Sequence, residues 1–537
     1  MTTVRFTPFG GLIPKTDPSM LPAAAAQVAE NCRFSSGQLE AYNAPLQVYA
    51  PAKQGIRTIY RYGQAVNSDT DYWFTFAANV DVVKGAIAND TEERTFYTGD
   101  GYPKVTTAAR AISSVPYPSN YWRLGLPAPS DTIIATVSGA PTSETALAET
   151  RVYIYTFVSA LGEESGPSAP SNEVDLKLGQ TISLILGGPP SGAYDTVAKR
   201  IYRSVAGSSG TDYLFVAEVA AYTNSYDDTV LADSLGEVIP SLDYAQLPDL
   251  ARGLTGMANG MMAAHTDYDV YFCAPYKPYA WPESYIQTVD YPIVGMASFG
   301  TSLVVLTTGI PYIMSGTDPA SVTVEKLAVP YACLSKKSIV SALGGVIYAA
   351  ADGLVCIDSS GPRVLTDQLF TRREWKLLNP STMLCAIWDE RIFMFCEKDG
   401  VPGGYILDAA NGLTTTSIYA TAAFTDPVTG SLFLAVNDKI VKWDDGAAEV
   451  CRWKSRRETL PMPKNFAYGQ VLATAYPLTI KIYADGALAH THSVTSDAPF
   501  RLPSGFRARY WEVELLLSVG RALYAALADS TQELQNV

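Results

Sequence analysis

Histidine is scarce in this 537-residue chain: His265, His490 and His492 are the only three. His490 and His492 stand two apart, which on a strand puts both imidazoles on one face, the start of a metal site. No Cys or His pair completes a ligand set, so a solvated strand is the reading and no metal is expected. Carboxylates offer a second chemistry, because two acids flanking a bond suffice for glycoside hydrolysis. The candidates are Asp352 in ADG, Asp389 and Glu390 in WDER, and Asp444 and Asp445 in WDDG. All five sit in turn-like contexts, where Asp serves backbone geometry. The string WDDGAAE also lacks the serine and final tryptophan of a sialidase-type SxDxGxTW repeat. No GxxxxGK[ST] phosphate loop, HExxH or GxSxG elbow is present, so nucleophile and zinc-peptidase chemistries have no motif to carry them. The chain is therefore not read as an enzyme, and no catalytic residue or cofactor is expected.

Charge points to surfaces. Acidic residues number 53 against 39 basic ones, a net charge of −14, which argues against a broad basic face that wraps nucleic acid. Three basic clusters interrupt this background: Lys336 and Lys337 in LSKKS, Arg372, Arg373 and Lys376 in TRREWK, and Arg452, Lys454, Arg456 and Arg457 in CRWKSRRE. Complementary charge fixes register between neighbouring subunits, so Lys336, Lys337, Arg372, Arg373, Arg456 and Arg457 are candidate interface residues. The seven cysteines are scattered through apolar runs such as GLVCID and RIFMFC. They read as reduced core residues of a chain assembled in the cytosol. No window approaches the roughly 20 apolar residues of a membrane helix, so a soluble chain is expected.

These groups must be positioned by strands. With 33 tyrosines, 40 glycines and 34 prolines, the composition favours strands and turns over helical bundles. Segments 253–275, 292–316, 337–361, 381–412 and 420–446 share one plan of apolar strand, small-residue turn, second strand, turn and third strand. Their starts lie about 40–45 residues apart, the period of a four-stranded propeller blade. Segment 56–85 follows the same plan. The basic clusters fall between such units, where blade connections would run.

Residues 127–248 are of another kind. Linker-like ends (PAPSDT and PSLDYAQLP) bracket alternating strands spaced like an immunoglobulin-type sandwich, resembling a fibronectin type III module. Tyr153, Tyr155, Ile201 and Tyr202 are its expected core or edge aromatics and aliphatics. From residue 452 onward the chain reads as paired strands with a tight turn at Ala484-Asp485-Gly486, and WEVELLL reads as a buried strand. At the other end, PFGGLIPKTDPSMLPAAAAQVAENC has only Arg5 before a short, glycine-split apolar patch, so it is not a secretory leader. Four alanines after Pro22 suit the first turn of a short helix. Phe9, Leu12 and Ile13 then lie on an extended arm and join the candidate interface.

The expected class is all-β: a β-propeller of about six blades with an inserted fibronectin III-like sandwich and a C-terminal β region. The boundaries are 1–50 for the arm and short helix, 51–126 for a first propeller portion, 127–248 for the insert, 249–451 for the remaining blades and 452–537 for the C-terminal domain.

FGGLIPKTDPSMLPAAAAQVAENCRFSSGQLEAY, IYRS with the later SYDDT, VVLTTGIPYIMSG, CRWKSRRETLPMPKNFAYGQV and RLPSGF together resemble the tail-tube or nozzle proteins of short-tailed bacteriophages. The resemblance runs in patches over nearly the whole chain, and no patch is a catalytic signature. It implies a structural virion protein of the tail, made in the host cytoplasm and assembled as a hexameric ring below the head-to-tail adaptor. Tail fibres or a tip protein would be its other partners, DNA would pass through without specific binding, and no membrane would be engaged by the free protein. The alternative is a propeller-type glycosidase or glycan-binding tail protein using the turn carboxylates.

Overall fold

The structure, a computed structural model, describes residues 3–63, 68–143, 145, 147–206 and 211–535. Strand makes up 46% of the chain and helix 6%, so the fold is all-β as expected. The chain divides into two compact units, one of Met1–Ala77, Leu306–Pro311 and Ala328–Val537, the other of Ala78–Val305 and Tyr312–Leu327.

The second unit holds three four-stranded antiparallel meanders, over 81–123, 252–288 and, apart from residues 306–311, 293–326. Each is a propeller-type blade. Pairing between strands consecutive in the sequence keeps the cost of loop closure small, even where the connection is longer, as over 85–94, 107–121 and 273–286. Between the first and second blades the chain builds the sandwich. One layer is Ile134–Ser138, Thr181–Ile185 and Ser225–Asp228; the other is Tyr153–Val158, Ala198–Ala206 and Thr211–Ala220. Tyr153, Tyr155, Phe157, Ile182, Leu184 and Ile201 close one shared core. Tyr202 packs on the other face of its sheet with Ile154 and Ile239, as the two-residue period of a strand requires. Gly207, the end of the AKRIYRSVAG strand segment, lies outside the described residues.

The first unit holds blades over 340–364 and 384–416 and a third over 422–442, whose fourth strand is Leu46–Tyr49 from near the N-terminus. Its other body is a sandwich built from both ends of the chain. Val4–Phe6, Cys32–Ser35 and Gln38–Ala41 join Tyr468–Ala473, Phe500–Arg501 and Arg521–Ala528 in one sheet. Ala26–Glu30 joins Cys451–Ser455, Ala508–Leu517, Leu478–Ala484 and Ala487–Val494 in the facing one. Phe9, Phe34, Leu39, Trp453, Val471, Ile480, Val513 and Leu527 meet in the core between them.

Two expectations are corrected. The short helix after Pro22 does not form: residues 23–25 turn and Ala26–Glu30 is a strand, paired with Arg452–Ser455 and bridged at Glu30 to Thr415. A helix of some ten residues is marginal in water, whereas here the alanines bury Ala26 and Ala29 against the sandwich core and gain a backbone ladder. Tertiary pairing overrides propensity. Segment 56–85 is likewise not one blade. Thr58–Arg61 and Trp73–Phe76 form a separate two-stranded hairpin, and Asp81–Lys84 opens the next sheet by pairing with Thr95–Thr98. Ile59 and Trp73 of the hairpin pack with Phe433 and Ile440 of the 422–442 blade, a distant contact that strand spacing could not reveal. Residues 64–67 of that segment lie outside the described residues.

Candidate functional site

The arm is anchored inside its own chain. Phe9 is 1% exposed and meets Trp453 edge-to-face at 4.8 Å, while Trp453 Nε1 donates to Gly10 O at 2.9 Å. The backbone of Gly11 runs so close to Leu413 that a Cβ would come within 2.5 Å of its N and O. Its N–H donates to Asn411 O and its own carbonyl accepts from Ala26 N. The two glycines that split the apolar patch are thus what admits the arm between strands. Leu12 and Ile13 are half-buried beyond them and line a shallow groove with Pro14, Pro18, Leu21 and Gln27.

The CRWKSRRE cluster lies on the strand Cys451–Ser455 and just after it, beside the strand Ala508–Leu517. Along the latter, Trp511, Val513 and Leu515 enter the sandwich core, while Glu512 and Glu514 face the other way. Both glutamates are nonetheless buried, 2% and 0% exposed, because cations roof them. Lys454 reaches Glu512 at 2.6 Å and Arg457 at 3.1 Å; Arg452 reaches Glu514 at 2.9 Å and Lys481 at 3.2 Å. Tyr483 Oη donates to Glu514 at 2.7 Å. Burial alone would raise both carboxyls, but these hydrogen bonds and charges overcome it and hold them below the ordinary range. Arg456 is engaged by Glu458 at 2.7 Å and donates to Leu21 O at 3.1 Å, tying the cluster to the arm. Sequence reasoning singled out these cations but missed their acids, although two glutamates two apart in an otherwise apolar run signal one shared, occupied face.

The remaining candidates are placed separately. Lys337 is half-buried in the one-turn helix Lys336–Ser338 and donates to Thr421 O at 2.8 Å. Burial, helped by Arg57, pushes its ammonium down to about 8. Arg372 and Arg373 are exposed at the start of the helix Arg372–Leu377, which Thr371 and Glu374 cap reciprocally. Arg372 pairs with Asp352 at 2.8 Å. Four of the five turn carboxylates are ion-paired, and Glu390 takes part in its turn through the backbone. Asp389 and Glu390, at φ 50° and 59°, form the tight turn before Arg391, and Asp389 pairs with that arginine. Asp444 pairs with Arg33 and accepts from Asn43 N at 2.7 Å, and Asp445 stands 3.6 Å from Lys442.

His490 and His492 do share a face, their rings 5.9 Å apart, with His492 stacked on Phe500 at 4.1 Å. Buried His265 holds Nδ1 2.6 Å from Thr266 O. Among the described residues no three or more His, Cys, Asp or Glu side chains gather as metal ligands. All seven cysteines are buried free thiols, and burial pushes Cys273 and Cys333 up to about 12. No helix is long and apolar enough to cross a membrane among the described residues.

No protein-family model and no curated protein matches the chain. Among solved structures it is similar to BBS1N in complex with ARL6DN (9% identity, TM-score 0.29, 75% of this chain and 97% of that one). Similar too are dihydro-heme d1 dehydrogenase NirN in complex with DHE (10%, 0.27, 66% and 74%) and BamB from Moraxella catarrhalis (10%, 0.25, 54% and 90%). Scores this low carry no functional argument.

Proposed function

We propose that the chain is a structural virion protein that forms the nozzle or tube ring of a short-tailed phage tail, a conduit for genome ejection and a platform for tail fibres. One observation carries the reading. The segments that resemble that family at the two ends of the chain, FGGLIP and CRWKSRRETLPMPKNFAYGQV with RLPSGF, are parts of one composite sandwich, in which Phe9 packs on Trp453 and Arg456 holds Leu21 O. A scaffold that closes its two ends on each other can present fixed surfaces around an axis without presenting a catalytic centre. Asp352, Asp389, Asp444 and Asp445, engaged by Arg372, Arg391, Arg33 and Lys442, are accounted for as structure. The net charge of −14 favours passage of DNA without retention, since each phosphate contact adds to salt-dependent binding.

The ring would be a hexamer under the head-to-tail adaptor, with Arg372 and Arg373 as its most exposed candidate contacts. Negative-stain electron microscopy of the purified chain tests this. Rings with a central hole are expected, with poor binding of linear duplex DNA at physiological salt. A monomer that cleaves bacterial polysaccharide, with cleavage lost in Asp352→Asn or Asp389→Asn, would overturn the reading in favour of a glycosidase.

A further inference from the structure

Within the second unit, the inserted sandwich meets the 81–123 blade along a polar seam. Arg123 N donates to Ala193 O at 2.8 Å, and the Arg123 guanidinium lies over the Tyr194 ring at 5.2 Å. The sandwich presents two adjacent glutamates near this seam, in the turn after the strand Tyr153–Val158, and they are treated oppositely. Glu164 accepts from Thr156 Oγ1 at 2.8 Å, Tyr202 Oη at 2.6 Å and Arg200 at 2.8 Å. Glu163 is equally buried, 5% exposed, yet its Oε1 has no hydrogen-bond partner.

The groups that face Glu163 come from several elements. Arg94, in the turn before the blade strand Thr95–Thr98, attracts its charge, and Asp195, in the loop before the strand Ala198–Ala206, repels it. Tyr279, in the loop following the strand Asp269–Phe272, lies within the field of both glutamates. Asp90 already occupies Arg94, through Nε at 2.8 Å and the backbone N–H at 3.1 Å, and Arg110 faces Asp195. No donor is therefore committed to Oε1, and a buried carboxylate without donors is costly.

We propose that the seam between the inserted sandwich and the 81–123 blade is a proton-controlled joint, closed while the Glu163 carboxyl is neutral and loosened when it ionises. Burial supports this by holding Glu163 up at about 7, with Arg94 too weak a counterweight. An acid whose folded value is raised favours the closed joint at low pH, and that preference is lost as pH rises through the folded value. If opening returns the carboxyl to its ordinary value of 4.5, the opening constant rises about 20- to 30-fold between pH 5.5 and 8.

Hydrogen exchange of the intact chain, corrected for the intrinsic pH dependence of exchange, reads this directly. Protection of residues 159–165 and 193–197 should fall by about that factor between pH 5.5 and 8, while the blades at 340–364 and 384–416 stay unchanged. In Glu163→Gln the pH dependence of the seam should vanish, with protection at both pH values about tenfold above that of the wild type at pH 5.5. Should the variant fail to fold, infrared difference spectra of the glutamate-labelled wild-type chain take its place, where a protonated carboxyl band lost between pH 6 and 8 is expected. Protection that is constant or rises with pH, an unchanged slope in Glu163→Gln, or absence of that band would overturn the proposal.

Discussion

The chain carries two β-sandwiches, and each buries charge in the opposite way. In the insert the charge points inward: Arg203 pairs across strands with Tyr153, a core residue, and reaches Asp228 at 2.8 Å. Both side chains are 0% exposed, Tyr153 Oη donates to Asp228 at 2.6 Å, and Arg203 Nη1 also holds Val230 O. Its Nε and Nη2 have no partner. In the C-terminal sandwich Glu512 and Glu514 point away from the core, and the cations over them keep contact with water, Arg452 being 43% exposed and Arg457 39%. The first arrangement is trapped, because neither partner can be solvated if the other is lost. The second is a lid, whose cations can swing outward. The two bodies also differ in assembly. The insert's strands lie in one continuous stretch, 134–228, whereas the C-terminal sandwich takes strands from residues 4–41 and 451–528.

The largest effect expected from this contrast concerns fragments. Residues 127–248 expressed alone should give a dispersed NMR spectrum, and residues 451–537 alone should not fold until a peptide covering 3–49 is added. A folded 451–537 fragment would remove the composite description. Next, Asp228→Ala should cost about 3–5 kcal/mol by chemical denaturation of the 127–248 fragment, since it strands a buried guanidinium. A loss under about 1 kcal/mol would mean that water reaches Arg203. Phe9→Ala should cost the C-terminal sandwich about 3 kcal/mol through the cavity left beside Trp453, with no change in the insert.

The smallest effect is electrostatic. Glu514→Gln should cost about 1 kcal/mol or less at neutral pH, because its cationic partners can turn to solvent. Its signature is the pH profile. Glu512 and Glu514 are held below their ordinary value of 4.5, so their stabilisation is present above that pH and is lost as pH falls through their folded values. Acid unfolding of the wild-type C-terminal sandwich should steepen below pH 4.5, and Glu512→Gln/Glu514→Gln should flatten it. An unchanged profile would show that the roof contributes nothing.

The distance between what strand patterning foretold and what formed is instructive at particular residues. Blade segments 253–275, 292–316 and 337–361 were legible because their strands pair with their immediate neighbours. The Ala484-Asp485-Gly486 turn was legible for the same reason, and it is a two-residue hairpin turn with Asp485 at φ 49° and Gly486 at φ 84°. The 422–442 blade was legible in three strands only, as its fourth, Leu46–Tyr49, arrives from nearly 400 residues away. The acids that neutralise Arg452, Lys454 and Arg457 escaped because cation and carboxylate meet across a ladder from positions 55–62 residues apart.

By itself, then, the sequence determined class and local plan. Period-two apolar runs, Asp and Gly at turns, and a scarcity of helical periodicity leave only short antiparallel meanders, because each such choice is settled within a few residues. Tertiary structure alone decided that AQVAE is a strand, that Gly10 and Gly11 admit an arm beside Trp453, that Glu163 is left without a donor while Glu164 has three, and that both chain ends make one sandwich. Those outcomes depend on which distant backbone offers hydrogen bonds and which distant side chain fills a gap. Such terms outweigh an intrinsic helix preference of under about 1 kcal/mol per residue and leave no mark in the local pattern.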